Sequence, residues 1–340
     1  MIYSHSMAAN PKLTVLTDPI PCGRYFFTEI AKNAGRPVKN FLRPIPPFMR
    51  NEKYRGHFAV TRSLVEGLRK IGATFNYNPK RLTDIGEVVI VLSGIGTLRQ
   101  AIQWKKEGRI HKLFAGPNLF VMPSEECPEI ANPEVDFWIS PSDWPVWYVE
   151  EDMPELAGRA LVWPAGVDTE YWRPSKKIRE RTSVTIFIKG VLPNLDLPTG
   201  YVECLREAGF DDTDTNFIYR GNGRYYTQEE YFLKLDQSGL LIGFSLSESQ
   251  GIAWAEAWSM DVPTFIWHND ETIIKGRSVR VSTAPYLNPQ NGAFFKNARE
   301  LRILFEIWKN GGYNFSPRKW VIDNMSDEIC SQRLLEIIFR

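Results

Sequence analysis

The chain has 340 residues, with 41 Lys and Arg against 40 Asp and Glu, for a formal net charge of +1. That balance gives no electrostatic case for a nucleic-acid partner, and the length exceeds what one compact core comfortably holds, so two domains are expected. Hydrophobic residues at 43% and charged residues at 24% exclude a disordered chain and supply enough apolar surface for sizeable cores.

The first residues, MIYSHSMAANPK, lack the basic-then-apolar pattern of a signal peptide. Leu13 to Thr17 reads as a first strand, broken by Asp18-Pro19. Residues 36–50, RPVKNFLRPIPPFMR, form an irregular basic segment. The stretch HFAVTRSLVEGLRKIG then has helical apolar spacing at Phe58, Leu64, Val65, Leu68 and Ile71, stopped by Gly72. Ala73 to Tyr77 reads as a short strand and Glu87 to Leu92 (EVVIVL) as a clear one. A turn, SGIGT, leads into a helix over Leu98 to Lys106. The turn has two Gly but lacks the third Gly and the later acid of a dinucleotide fingerprint, so it shapes a loop rather than announcing a cofactor. Short strands follow at Leu113–Phe114 and Leu119–Met122, on either side of a Gly-Pro turn, then at Phe137–Ser140 and Arg159–Trp163. Pro164 to Pro174 (PAGVDTEYWRP) reads as a linker.

The second half repeats the alternation. Ser183 to Ile188 is a strand followed by Lys189-Gly190. A helix near Tyr201–Ala208, a strand at Asn216–Tyr219, the loop RGNGR and a helix at Gln228–Gln237 come next. Leu240 to Phe244 is a continuous apolar run, as in a parallel strand buried on both faces. A polar turn over Ser245–Gln250, then Gly251, opens a helix at Ile252–Met260, which Asp261-Val262-Pro263 stops before a strand at Thr264–Trp267. A strand at Arg277–Val281, a helix over Ala293–Lys309 and a helical tail from Phe315 to Arg340 complete the chain. Alternation of this kind implies an α/β fold with parallel sheets.

Two carboxylates set the stretch after Leu240 apart. Glu248 lies in the turn and Glu256 in the helix, with Ala and Trp around it; a charge in such company is costly unless paired or hydrogen-bonded. Ligand hydroxyls could supply the partners, and so could an ordinary salt bridge. The turn lies at the carboxyl end of a strand, where open α/β sheets bind ligands. The helix N-terminus at Gln250 and Gly251 suits an anion such as a diphosphate.

This segment resembles the Glu–x(7)–Glu signature of retaining nucleotide-sugar glycosyltransferases of the GT-B fold, especially the family-four group. Ser245, Glu248, Gly251, Glu256, Ala257 and Val262-Pro263 carry the likeness; Gln250 stands where an aromatic is usual and Asp261 where Gly is usual. The linker is similar to the same family's at Gly166, Val167, Asp168, Trp172 and Pro174. The resemblance implies a Rossmann-like acceptor domain over residues 10–165, a Rossmann-like donor domain over 175–320, and a final helix over 321–340 crossing back to the first. It implies transfer of a sugar from a nucleotide-sugar to a glycan or other acceptor hydroxyl with retention, without a metal or other cofactor. Glu248 would contact the donor sugar and Glu256 the ribose, while Ser249, Gln250, Gly251 and Ile252 would surround the diphosphate. Lys189 would reach phosphate. The family's second Lys is missing, and Arg220 or Arg224 would replace it. Gly56 stands where the family has a Gly-rich loop, with His57 either near the reacting centre or merely at a helix start. In FWISPSDWPVWY, Trp144 and Trp147 have two readings, an acceptor-sugar platform or packing under a loop. His111 reads as structural.

Asp211-Asp212-Thr213-Asp214 contains the Asp-x-Asp of metal-dependent GT-A enzymes, but it follows a helix end and Gly209 rather than an apolar strand, which favours a solvated loop. The four Cys (Cys22, Cys127, Cys204, Cys330) have no CxxC spacing, which points to reduced thiols in a cytoplasmic protein. No apolar run approaches the roughly 18 residues of a spanning helix, and peripheral membrane contact stays compatible with the chain. The competing functions are a phosphorylase or epimerase of the same fold and a catalytically silent nucleotide-sugar-binding or scaffold protein.

Overall fold

The computed structural model describes residues 13–17, 56–175, 177–190, 197–207, 215–220 and 226–340. The basic segment at 36–50, the Asp-x-Asp string at 211–214 and Arg224 lie outside the described residues. The first sheet contains β1 (Leu13–Leu16), β2 (Phe75–Tyr77), β3 (Val88–Ser93), β4 (Lys112–Asn118), β5 (Phe137–Ser140) and β6 (Ala160–Val162). All its pairs are parallel, in the order β2-β1-β3-β4-β5-β6. Its helices are α1 (Gly56–Lys70), α2 (Ile95–Lys106) and α3 (Trp144–Asp152).

The second sheet contains β7 (Ser183–Lys189), β8 (Thr215–Arg220), β9 (Ser238–Phe244), β10 (Thr264–Trp267) and β13 (Gly292–Phe295). It is also parallel, in the order β13-β10-β9-β7-β8. Its helices are α4 (Leu197–Glu207), α5 (Gln228–Gln237), α6 (Ile252–Ser259) and α7 (Ala298–Lys309). The tail forms α8 (Pro317–Asn324) and α9 (Asp327–Ile338). No helix among the described residues is long and apolar enough to cross a membrane.

Both sheets are covered on both faces, which is why their central strands are unbroken apolar runs. Along β3, Val88, Ile90 and Leu92 enter one core cluster, while Val89 and Val91 enter the other. Along β9, Leu240, Ile242 and Phe244 face one layer and Leu241 the opposite one. The alternation is the two-residue period of a strand with apolar residues at every position.

Three sequence expectations change. The strand predicted at Leu113–Phe114 continues through Gly116-Pro117 as β4, across a cis peptide bond, and the strand predicted at Leu119–Met122 is instead an irregular turn. Proline cannot donate to the ladder, and the register with β3 shifts at this place. The strand predicted at Arg277–Val281 is one arm of an antiparallel hairpin, β11 (Glu271–Ile274) and β12 (Arg277–Arg280). Lys275 and Gly276, both at positive φ, make its two-residue turn. The single helical tail is broken at Met325-Ser326, where Ser326 Oγ caps α9 by accepting the Ile329 amide at 3.3 Å.

That break positions the linker between the lobes. Val167 and Ser326 form an isolated parallel bridge, with Val167 N donating to Met325 O at 2.8 Å. A Cβ at position 166 would lie 2.5 Å from the Asp327 Cα, so only glycine fits there. Asp168 Oδ1 accepts the amides of Glu170 and Tyr171, and Trp172 fills the core of the second lobe. The Gly-Val-Asp-aromatic pattern is thus explained by packing. Helix α8 packs on α6, and α9 packs on α1, with Leu334 and Ile338 in the core of the first lobe. The Arg62 guanidinium donates to both Asp327 carboxylate oxygens, at 2.5 and 3.0 Å.

Candidate functional site

The strand order of the second sheet reverses between β7 and β9, and that is where an open α/β sheet leaves a crevice beyond its carboxyl ends. A cavity of about 460 Å³ lies there, between the lobes. Lys189 ends β7 and Arg220 ends β8; the two are register partners and both line the cavity. The turn after β9 contributes Glu248, Ser249, Gln250 and Gly251, and α6 contributes Ile252 and Glu256. The first lobe contributes Gly56 and an apolar wall that includes Phe120, Trp138, Trp144 and Tyr148.

Glu248 is 7% exposed. Its Oε2 accepts from Lys189 Nζ at 2.7 Å and its Oε1 from Ser245 Oγ at 2.9 Å. These contacts answer the cost of placing a charge at the foot of the crevice. Lys189 keeps 39% of its side chain exposed, so it remains accessible from the cavity. Glu256 is 3% exposed yet lines the cavity. Beneath it, burial and the charges of Glu256 and Glu248 hold the Tyr231 phenol well above its ordinary pKa. Tyr231 is therefore a neutral donor, and its hydroxyl gives a 2.7 Å hydrogen bond to Ala253 O in the first turn of α6.

Gly251 precedes α6 at φ +79°, in the left-handed region, and a Cβ there would lie 2.4 Å from the Trp254 ring. Glycine is required on both counts. The turn can then deliver the first amides of α6, which have no intrahelical acceptors, to the cavity edge. Trp254 and Trp258 flank Glu256 in sequence but point into structure: their indole N–H groups donate to Thr283 O (2.8 Å) and Thr264 Oγ1 (2.9 Å). Asp261 ends this unit at φ +60°, a conformation Asp tolerates, with Oδ1 accepting the Arg318 amide at 3.3 Å. Its stand-in for glycine is thereby accounted for.

Most of the residues singled out from sequence meet at this cavity; the Trp144–Trp147 pair does not stay together. Trp144 is buried against the lobe seam with Val279 and Val281, and its Nε1 donates to Glu248 O at 2.9 Å. Trp147 is 60% exposed and is not part of the cavity wall, which corrects the paired-platform expectation. The buried stripe of α3 runs through Pro145 and Val149, four residues apart, and Trp147 falls off that stripe. His57 is the second residue of α1, and its side chain lies outside the described residues. Sequence reading missed Tyr226 and Gln228, which line the cavity beside Arg220; their position just after a strand end was the available signal. It also missed Ile274, placed there by the hairpin.

Gln250 is tied to the linker on both sides of one residue. Its Oε1 accepts Ala165 N at 3.0 Å and its Nε2 donates to Ala165 O at 2.7 Å. The hairpin also reaches across, with Lys275 to Glu125 and Glu126 (3.1 and 2.6 Å) and Arg277 to Asp152 (2.5 Å). Away from the cavity, Glu66, Asp168 and Asp327 gather oxygens within 4.8 Å of one another. Arg62 and Lys70 face that cluster and supply balancing charge.

No protein-family model matches the chain, and no curated protein matches it significantly. Solved structures do. The chain is similar to AviGT4, a glycosyltransferase involved in avilamycin A biosynthesis, at 12% identity and a TM-score of 0.53, over 97% of this chain and 98% of that one. It is similar to the lipopolysaccharide outer core galactosyltransferase WaaB at 12% identity and a TM-score of 0.52, over 96% and 99%. The match to TarM, 13% identical with a TM-score of 0.52, covers 74% of this chain and 55% of TarM, so the chain spans about half the length of that protein. At such identities the likeness is one of fold, and the fold is GT-B: two Rossmann-like domains facing a cleft.

Proposed function

We propose that this chain is a glycosyltransferase that moves a sugar from a nucleotide-sugar donor to an acceptor hydroxyl in the interlobe cavity. One observation carries the reading. Two cationic side chains, a helix N-terminus and two carboxylates converge on one crevice of a size that suits a nucleotide-sugar. AviGT4 and WaaB, which share the fold, are named as glycosyltransferases, and this supports the assignment.

Lys189, Arg220 and the first amides of α6 hold the diphosphate and stabilise the charge that grows on it as it leaves. Glu256 accepts hydrogen bonds from the ribose hydroxyls. Glu248, freed from Lys189 as that lysine turns to phosphate, accepts from the donor-sugar hydroxyls near the reacting carbon. The acceptor enters against the first lobe, beside Trp144 and Tyr148. The bond from the anomeric carbon to the leaving phosphate oxygen breaks, and a bond to the acceptor oxygen forms on the same face. The acceptor proton passes to the departing phosphate oxygen, which gives retention without an enzymic nucleophile. Lys189 and Arg220 supply the cationic charge that this scheme asks for.

Turnover of a panel of nucleotide-sugars, with the anomeric configuration of the product read by NMR, tests the proposal. A retained product supports it in full; an inverted product removes the same-face step. Binding without any turnover, including hydrolysis of the donor, favours a silent nucleotide-sugar-binding protein.

A further inference from the structure

Three consecutive residues of the turn after β9 are held from outside their own lobe. Trp144 Nε1 donates to Glu248 O at 2.9 Å, Ser142 Oγ donates to Ser249 O at 2.5 Å, and the Gln250 side chain is bound to both polar atoms of the Ala165 backbone. Ser142 and Trp144 belong to the segment that leaves the carboxyl end of β5, and Ala165 follows β6. Ser142 and Gln250 are buried, and Ser140 Oγ in turn donates to Ser142 O at 2.6 Å, so the holding segment is itself fixed. Ile252, the first residue of α6, packs against the core of the first lobe.

The peptide group turns this contact pattern into a consequence for the site. A trans peptide is planar, with its C=O and the next N–H on opposite sides. Fixing the carbonyls of Glu248 and Ser249 against the first lobe therefore fixes the amides of Ser249 and Gln250 in the opposite direction, at residues that line the cavity.

We infer that the first lobe builds the anion-binding turn of the second. Ser142 and Trp144 act as positioning residues, and affinity for the nucleoside diphosphate depends on the two lobes being in contact. The inference rests on the reading of this turn as the donor site. Ser142 is outside the cavity lining, so its effect on the donor has to pass through Ser249.

The experiment is a calorimetric titration of UDP, ADP and GDP into the full chain, wild type and Ser142→Ala, with donor and acceptor KM measured separately. Loss of one such hydrogen bond predicts affinity for the best diphosphate lower by about threefold to tenfold. Donor KM should rise by a similar factor, while acceptor KM stays within error. Trp144→Phe, which keeps a ring and deletes the N–H, should shift diphosphate affinity the same way and carries the test if Ser142→Ala does not fold. Wild-type diphosphate affinity in both variants overturns the inference while leaving the function intact, as does a loss in Ser142→Ala that falls equally on donor and acceptor. A wild-type protein that binds none of the three diphosphates and no nucleotide-sugar overturns both.

Discussion

Replacing Arg62 by Met removes the charge at the centre of the contact between α1 and α9 while keeping much of the apolar stem. In the native chain the guanidinium makes two hydrogen bonds to Asp327, at 2.5 and 3.0 Å, with Glu66 at 3.4 Å. Burial opposes the charged form of Arg62, and the Asp327 carboxylate outweighs it, so the arginine stays ionised. Burial likewise pushes Asp327 upward, with Arg62 and Lys70 opposing. In the variant, Lys70, 3.8 Å from Asp327 and from Asp168, still faces the carboxylates. Breaking a buried pair in this way costs about 3–5 kcal/mol, a large share of a typical stability of about 5–15 kcal/mol. Urea unfolding at pH 7, followed by fluorescence and circular dichroism, measures it. The double variant Arg62→Met/Asp327→Leu removes the stranded charge and should recover stability relative to the single one. Because burial then acts on Asp327 with less opposition, the single variant should lose less at pH 5 than at pH 8, where its carboxyl must ionise. A single-variant cost below about 1 kcal/mol, or a double variant as unstable as the sum of the two single ones, refutes the reasoning.

Burial raises the thiol pKa of Cys127 to about 11 and of Cys330 to about 12, and raises that of Cys204 as well. Iodoacetamide at pH 8 should therefore leave all three unmodified in the native protein by mass spectrometry, and alkylation of Cys330 at the rate of the unfolded chain would contradict the packing of α9. At the lobe-bridging hairpin, burial works to raise Asp152, but hydrogen bonds from Ser124 and the Arg277 guanidinium overcome it and lower its pKa. The stability this contact contributes is present above the ordinary carboxylate value of about 4 and is lost as pH falls through the lowered value. The difference between wild type and Arg277→Ala, about 0.5–1 kcal/mol for so exposed an arginine, should be constant from pH 7 to pH 5 and shrink progressively as the pH falls below about 4. A difference that grows on acidification runs against this assignment.

Much of this architecture was legible because buried parallel strands announce themselves. The runs VVIVLS and SGLLIGF are buried throughout, as continuous apolar strands must be when both faces are covered. Glu248 and Glu256 were legible for the opposite reason, being charges in apolar company, and Lys189 because it follows a strand end. The hairpin at β11 and β12 escaped notice because its arms are short and exposed; Lys275-Gly276 was the overlooked turn signal. Trp147 could not be separated from Trp144 by pattern, because which face of α3 is buried depends on the neighbouring lobe. Nothing in the spacing foretold that Gln250 would reach Ala165 or that Ser142 would reach Ser249, since each contact joins segments far apart in the chain. Long-range hydrogen bonds between lobes leave no periodic trace.

The central claim is that Glu256 belongs to a nucleotide-sugar site. Calorimetric titration of nucleotide-sugars into wild type and Glu256→Ala tests it most directly. At least one donor should bind the wild type, and the variant, folded to the same melting temperature, should bind it about tenfold to a hundredfold more weakly, the loss expected for hydrogen bonds to a charged group. Equal affinity in the two proteins, or no binding by the wild type to any donor tried, would contradict it.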